Sequence, residues 1–318
     1  MAERISEVIP AAQPLPRAAT VPTGWAAQRR RAFLAGLLPA LVVLAAITLA
    51  PAVYLLVTSL TPLNLALPEQ TTWNFSRPWR NYAELLQDER FGNSVWVQVR
   101  LSFFTVVLQV LAGLGVALML NARSRVLEAI RTTFLIPMVL PPIVVAIIWK
   151  VLYTPDISPL HRSLAFIGLP IPSLITSPQF ALWAITIVDV WEWFPFTMLM
   201  ILAALQMMPE EVLEAARIDG AGAWQLFLRV VLPLLRPTIL VAALFRLVDS
   251  IKAFPLIFVL TNGGPGSVTE VTNYYAYTQA FNFSYLGFAS AITVVMVAGV
   301  FLLSALLIKM VGKEVDVE

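Results

Sequence analysis

The sequence predicts an all-α integral membrane protein with six spanning helices, and three observations carry that prediction. Of the 318 residues, 59% are hydrophobic and only 13% are charged, well beyond the roughly 45–50% apolar and about 25% charged typical of soluble domains. The apolar residues are gathered into separate runs, each close to the ~20 residues that cross a bilayer. Lysine and arginine then fall mostly on alternate connecting segments, which gives the helices a direction.

The elements follow in chain order. Residues 1–28 are rich in Ala and Pro (Pro10, Pro14, Pro16, Pro22) and lack hydrophobic periodicity, so they are expected to form a disordered cytoplasmic tail. Residues 29–318 form the transmembrane domain. Arg29, Arg30 and Arg31 precede a charge-free run from Phe33 to Leu60. That run exceeds the roughly 7–15 residues of a signal-peptide core and reads as a retained anchor. Further charge-poor segments lie at about 97–120, 132–153, 180–208, 237–260 and 286–309, each long enough to span with some tilt. With both termini in the cytoplasm, the inside segments hold thirteen of the 21 Lys and Arg and the outside segments six, leaving Arg246 and Lys252 within a span. The positive-inside rule therefore selects N-in, C-in.

Several functions are excluded. A net charge of +2 is too small to indicate a nucleic-acid partner. With no cysteine in the chain, disulfides, thiolate metal sites and cysteine nucleophiles are ruled out. No Gly-x-x-x-x-Gly-Lys-Ser/Thr string occurs, so the chain has no recognisable phosphate-binding loop of its own. The single histidine, His161, is expected on the surface of an external loop. Asn262-Gly263-Gly264-Pro265 reads as a turn, and no metal-ligand cluster is present.

Two spans break the apolar pattern. The fourth contains Asp189 and Glu192, the fifth Arg246, Asp249 and Lys252. An ionisable side chain in hydrocarbon costs about 2.5–3.5 kcal/mol even on the lenient insertion scale, so such groups face a polar cavity or one another. Asp189, Glu192, Trp193 and Phe196 follow i, i+3, i+4, i+7 spacing and share one helix face; Arg246, Asp249, Ser250 and Ala253 repeat it on the next span. Both sets are expected near mid-span. Acidic and basic groups beside aromatic rings suit sugars and polyols, whose hydroxyls need directional hydrogen bonds and whose C–H faces stack on rings. The same charges would equally serve to neutralise one another and fix helix register, and Trp191, Trp193 and Phe194 would equally serve as packing or lipid-facing aromatics.

Between these spans runs Pro209-Glu-Glu-Val-Leu-Glu-Ala-Ala-Arg-Ile-Asp-Gly-Ala-Gly-Ala-Trp-Gln-Leu-Phe-Leu-Arg-Val-Val-Leu-Pro-Leu-Leu-Arg-Pro237. Pro209 suits a first helical turn, and Glu210 and Glu211 favour the positive end of the helix dipole. Asp219-Gly220 breaks the helix, because Gly accepts positive φ. A second amphipathic helix is expected from about Ala221 to Leu232, with Trp224, Phe227, Leu228 and Val231 on one face, limited by Pro233 and Pro237. Small residues around the turn leave room for another protein's surface to approach the backbone.

Glu214-Ala215-Ala216, Asp219-Gly220-Ala221, Leu232-Pro233 and Pro237 resemble the EAA loop of the binding-protein-dependent ABC importer permeases. The likeness extends over most of the chain and is strongest to the maltose-type carbohydrate permeases: Asn81-Tyr82, the Phe194-Pro195 step, Leu260 to Gly266, and Gly287 to Ala291 all look like that group. The resemblance implies a type I ABC importer permease fold, with the loop at about 208–237 seated as a coupling helix in a groove of an ATPase subunit. By resemblance the coupling residues are Glu214, Ala215 and Gly220, and the substrate-path residues are Asp189, Glu192, Trp193, Phe196, Arg246, Asp249 and Ser250.

The implied partners are a second homologous permease forming a heterodimer, two ABC ATPase subunits, and a periplasmic or lipid-anchored solute-binding protein. The cargo would be a di- or oligosaccharide or a polyol. The chain itself would be no enzyme and would hold no cofactor, since ATP and Mg belong to the ATPase, and its place would be the cytoplasmic membrane of a bacterium or archaeon. The path is more charged than the maltose pattern, which leaves a polyol or another disaccharide open. A stand-alone proton-coupled secondary transporter, with Asp189 and Glu192 as a proton relay, is the alternative; it would call for paired broken helices in repeat symmetry.

Overall fold

The computed structural model of the chain describes residues 23–67, 69, 74–122, 124–169 and 171–315. The tail expected at 1–28 thus lies outside the described residues up to position 22, while its last residues already belong to a helix. Among the described residues every regular element is helical. The chain divides into two units, 1–53 and 54–318. The first holds most of α1 (Thr23–Ser59). Its apolar stretch Ala32–Ser59 has no buried side chains in its most hydrophobic window, as befits a helix whose solvent is hydrocarbon.

The second unit opens with α2 (Arg80–Gln87) and α3 (Glu89–Met119). Asp88 caps α3 by accepting from the amides of Arg90 at 2.8 Å and Phe91 at 3.2 Å, which satisfies donors the helix leaves free. Three short helices follow: α4 (Arg125–Phe134), α5 (Ile136–Val139) and α6 (Pro142–Tyr153). Then come α7 (Pro159–Phe166), α8 (Ala181–Gln206) and α9 (Glu210–Ile218). Next, α10 (Ala223–Leu226) passes through a π-helical turn, Phe227–Val231, into α11 (Leu232–Ile251). The unit closes with α12 (Pro255–Leu260), α13 (Thr272–Tyr277), a second π turn at Thr278–Asn282, and α14 (Leu286–Val315).

The centre of this unit is the α3–α8 pair, with α11 against both. Gly113 sets the approach of the pair: a Cβ there would lie 2.8 Å from Cβ of Thr197 and 2.8 Å from the Met198 amide. Close backbone contact at small residues is how helices associate where lipid supplies no hydrophobic drive. One buried cluster joins Leu101, Val145, Ile185, Val188 and Ile257; a second joins Ala117, Met198, Ile201, Leu202 and Leu235.

Five expectations need correction. The span expected at 132–153 is broken into pieces, and α6, with 12 residues, falls short of the ~20 that cross a bilayer. Pro141 and Pro142 are the cause. A residue before proline is pushed out of the helical region, and Leu140 and Pro141 are extended at ψ 141° and 135°. Five helical stretches are long and apolar enough to span: Ala32–Ser59, Glu89–Met119, Ala181–Gln206, Ala223–Ile251 and Leu286–Lys309.

The fifth expected span, 237–260, begins earlier and ends earlier. The helix runs on from Ala223, so the separate surface helix expected at Ala221–Leu232 is the first part of this long element. Pro233 does not stop it, because the π turn lets the Leu232 amide bond the Phe227 carbonyl and widens the backbone where a proline ring would strike the carbonyl four residues back. The helix ends at Ile251, since Pro255 has no N–H to give the Ile251 carbonyl. Asp249 consequently sits near the helix end instead of mid-span, with Lys252 just beyond the last helical residue. His161, expected on the surface, is 7% exposed, held in α7 behind the Ser158 cap, whose hydroxyl accepts from the His161 amide at 3.2 Å.

Candidate functional site

Arg246 organises the polar centre of the membrane-spanning unit. It is 1% exposed and every edge of its guanidinium is engaged. Nε donates to Oε1 of Gln109 on α3 at 2.9 Å, and Nη1 donates to Oδ2 of Asp249 at 3.2 Å. Nη2 lies 3.9 Å from Oδ2 of Asp189 on α8, and the guanidinium carbon stands 4.5 Å from the Trp193 ring centre. An unpaired guanidinium would be prohibitive in hydrocarbon; here carboxylates, an amide and an aromatic face replace its hydration shell.

Asp189, 5% exposed, is held in turn by Gln109, whose Nε2 donates to its Oδ2 at 2.8 Å and to its backbone carbonyl at 3.1 Å. Lys252 completes the chain of charges with Nζ 3.1 Å from Oδ1 of Asp249. These two are the exposed end of the network, with side chains 62% and 48% accessible. The charges on two spans that the sequence places on matching faces do meet, and they pair.

Glu192 is the exception. It is fully buried, yet neither of its carboxylate oxygens finds a hydrogen-bond partner among the described residues. It borders a cavity of about 230 Å³ together with Asp189, Trp193, Arg246, Asp249 and Lys252, with Pro142 of α6 and Pro255 of α12 closing it. The cavity therefore meets three carboxyl groups and two cations, and both cations are already matched by the two aspartates. What remains for a ligand is hydrogen-bond acceptance at Glu192 and the part of the Trp193 ring that the Arg246 guanidinium does not cover.

Phe196 and Ser250, expected in the same lining, lie outside it. Phe196 packs edge-on against Phe245 with ring centres 6.2 Å apart. Ser250 turns its hydroxyl to the Leu247 carbonyl at 2.8 Å, and its own carbonyl accepts from Gln98 at 3.0 Å. Trp191 and Phe194 are packing aromatics, against Trp149 at 5.6 Å and Phe134 at 5.7 Å. Gln109 is the residue that sequence reasoning missed. Its signal was present, a bare amide in an otherwise apolar stretch, but a search for charges passes over it.

The other candidate surface is at the far end of α8. Helix α9 carries Glu214 and Ala215 exposed, and it ends in a left-handed Gly220 at φ +84°. The Ala221 amide bonds back to the Ala216 carbonyl at 3.0 Å, the closure that terminates a helix sharply. Among the described residues no group of His, Cys, Asp and Glu is arranged to hold a metal ion.

Residues 109–317 match the family described as binding-protein-dependent transport system inner membrane component. The chain belongs to this family. Over 215 residues the permease is 37% identical to the trehalose/maltose transport system permease protein MalF of Thermococcus litoralis, covering 68% of this chain and 72% of that protein. It is 33% identical over 288 residues to the trehalose transport system permease protein SugA of Mycobacterium tuberculosis, covering 90% of each. Over 264 residues it is 33% identical to the sulfoquinovosyl glycerol transport system permease protein SmoG of Agrobacterium fabrum, covering 82% of this chain and 84% of that one. Among solved structures it superposes on a chain of a bacterial alginate ABC transporter, in complex with an alginate pentasaccharide-bound periplasmic protein, with a TM-score of 0.75 over 89% of this permease and 95% of that chain. At 21% identity that likeness establishes the fold alone.

Proposed function

We propose that this permease is one of two membrane subunits of an ATP-driven importer, and that its cargo is a neutral, hydroxyl-rich carbohydrate or polyol. The observation that carries the reading is the cavity at Trp193, where Glu192 accepts no hydrogen bond from the described residues while every neighbouring charge is paired. Such a site offers acceptors and an aromatic face to a ligand rich in O–H donors, and its excess of carboxyl groups repels an anionic sugar. The names of the trehalose and maltose relatives agree with that class.

At about 230 Å³ the cavity is smaller than the roughly 300–1,000 Å³ of a complete small-molecule pocket, as suits one wall of a site completed by a second homologous permease. The chain crosses the cytoplasmic membrane of a bacterium or archaeon six times, with α4 to α6 as a broken third crossing and both termini inside, the arrangement favoured by thirteen basic residues against six. Helix α9 then faces the cytoplasm. Glu214, Ala215 and Gly220 dock it into one of two ATPase subunits, which hold ATP and Mg, and a periplasmic or lipid-anchored binding protein delivers the sugar. ATP binding turns the cavity outward and hydrolysis resets it, with no covalent change to the cargo.

The test is co-purification from membranes followed by sugar uptake in proteoliposomes. Recovery of an ATPase and a second permease, with ATP-dependent uptake whose sugar preference shifts in Asp249→Asn, supports the reading. A chain that purifies alone and takes up solute on a proton gradient refutes it.

A further inference from the structure

A second cavity, of about 530 Å³, shares no residue with the Arg246 network and lies beside the Asp88 cap of α3 and the first turn of α14. It is walled by the segment after α1 (Pro62 to Leu67), by α2, and by the α13 end of the chain. Its walls are stitched together by backbone bonds: Leu65 amide to Ser284 carbonyl at 3.1 Å, Tyr285 amide to Gln279 carbonyl at 2.9 Å, and Gly287 amide to Leu63 carbonyl at 2.9 Å. The cavity is preformed, and its volume lies within the roughly 300–1,000 Å³ of small-molecule sites.

The charged groups in its lining are already engaged by the protein. Arg80 pairs with Glu84 at 2.7 Å. Asp88 spends one oxygen on the helix cap and accepts the Tyr275 hydroxyl on the other. Burial, and then that bond to Asp88, raise the Tyr275 phenol above its ordinary value, so it keeps its proton and remains the donor.

The groups left over are primary amides. Asn64, Asn81 and Gln279 are 3%, 6% and 8% exposed, and all three line the cavity. Asn81 gives both Nδ2 hydrogens to the carbonyls of Ser59 and Thr61 at 2.8 Å each, which leaves Oδ1 unused. Asn64 accepts from the Ala66 amide through Oδ1, which leaves its Nδ2 donors. The Gln279 side chain makes no hydrogen bond among the described residues, so its donor and its acceptor both remain. None of these spare amide atoms is sealed from solvent; they open onto the cavity, and three amides with spare capacity around one preformed cavity mark a place for a polar ligand. Tyr285 and Phe288 add aromatic faces.

We infer that this cavity is a second binding site, distinct from the Trp193 cavity, for a neutral polyhydroxylated ligand, a sugar or polyol. Amides give and take hydrogen bonds without charge, the pattern that alternating O–H donors and acceptors require. Glu84 and Asp88 set two carboxylates beside the single cation Arg80, so the lining has no net positive charge to recruit an acidic sugar.

The experiment is calorimetric titration of the full-length permease, co-purified with its partner subunits and without the binding protein, using trehalose, sorbitol and glucuronate as probes. Trehalose or sorbitol is expected to bind with a component that Gln279→Leu weakens by about tenfold or more, since removing one amide strands the ligand's hydroxyls. Tyr285→Ala, on the exposed rim, should weaken the same component, whereas Asp249→Asn should leave it intact. Each variant is first checked for wild-type elution in detergent. Sugar binding unchanged in both variants overturns the inference. So does a wild-type sugar titration in Gln279→Leu coupled with lost capture of the solute-binding protein, which would make the cavity a protein socket. Glucuronate binding as tightly as trehalose overturns the assignment to neutral ligands.

Discussion

Gln109 and Asp189 are joined twice across the α3–α8 interface, the same amide nitrogen donating to the carboxylate at 2.8 Å and to the backbone carbonyl at 3.1 Å. Because the amide oxygen of Gln109 also accepts from Nε of Arg246, one uncharged side chain ties three helices and fixes both charges. Gln109→Leu keeps the volume and removes every one of these bonds. It should destabilise the permease by about 3 kcal/mol or more, because the buried Nε–H of Arg246 and the Asp189 carboxylate lose their hydrogen-bond partner. Thermal unfolding in detergent, followed by loss of monodisperse elution, reads this; a wild-type melting profile would show that the network carries no weight.

Glu214 is exposed on α9 and makes no side-chain hydrogen bond or ion pair among the described residues, so folding places no demand on its charge. Glu214→Lys should insert and elute normally while abolishing sugar-stimulated ATP hydrolysis by the assembled complex. Wild-type stimulation would remove α9 from the coupling path.

Gly113 and Gly115 differ in surroundings although a single residue separates them. A Cβ at Gly113 meets Thr197 and Met198 at 2.8 Å, whereas at Gly115 nothing lies within 4 Å. Gly113→Val should cost about 1–3 kcal/mol through forced separation of α3 and α8, and Gly115→Val should cost little. Equal melting shifts for the two would contradict the packing described.

Gly220 holds φ +84° with open space around it. Gly220→Ala should therefore act through backbone strain alone, at roughly 1–2 kcal/mol for a left-handed non-glycine residue. The strain should loosen the end of α9 and lower the ATP turnover coupled to transport, while Gly220→Asn, which tolerates this region better, should recover part of it. Identical activity in the Ala and Asn variants would mean the turn is not rigid in the working complex.

How much of the site could be read from sequence depended on the kind of signal. Asp189, Glu192, Arg246 and Asp249 stood out because charge in an apolar run is expensive, and the structure brings all four to one cavity. Phe196 shared their helix face but packs on Phe245, since a face about 100° wide holds neighbours as well as lining residues. The 530 Å³ cavity gave almost no signal. Its amides come from three segments far apart in the chain, and nothing in local periodicity links position 64 to position 279.

The sequence by itself determined that this chain lives in a membrane, about where four of its five long apolar helices lie, where α9 stops, and which family it resembles. Each of these follows from local properties: run length, a breaker residue, a contiguous motif. Only the tertiary structure decided that Arg246 is matched by an amide and two carboxylates, that Glu192 is left without a hydrogen-bond partner among the described residues, that prolines break the stretch at 132–153 but are absorbed by a π turn within Ala223–Ile251, and that His161 is buried. Those outcomes depend on which groups meet across helices and on how the backbone redistributes its hydrogen bonds around a missing N–H, and a linear pattern does not encode either.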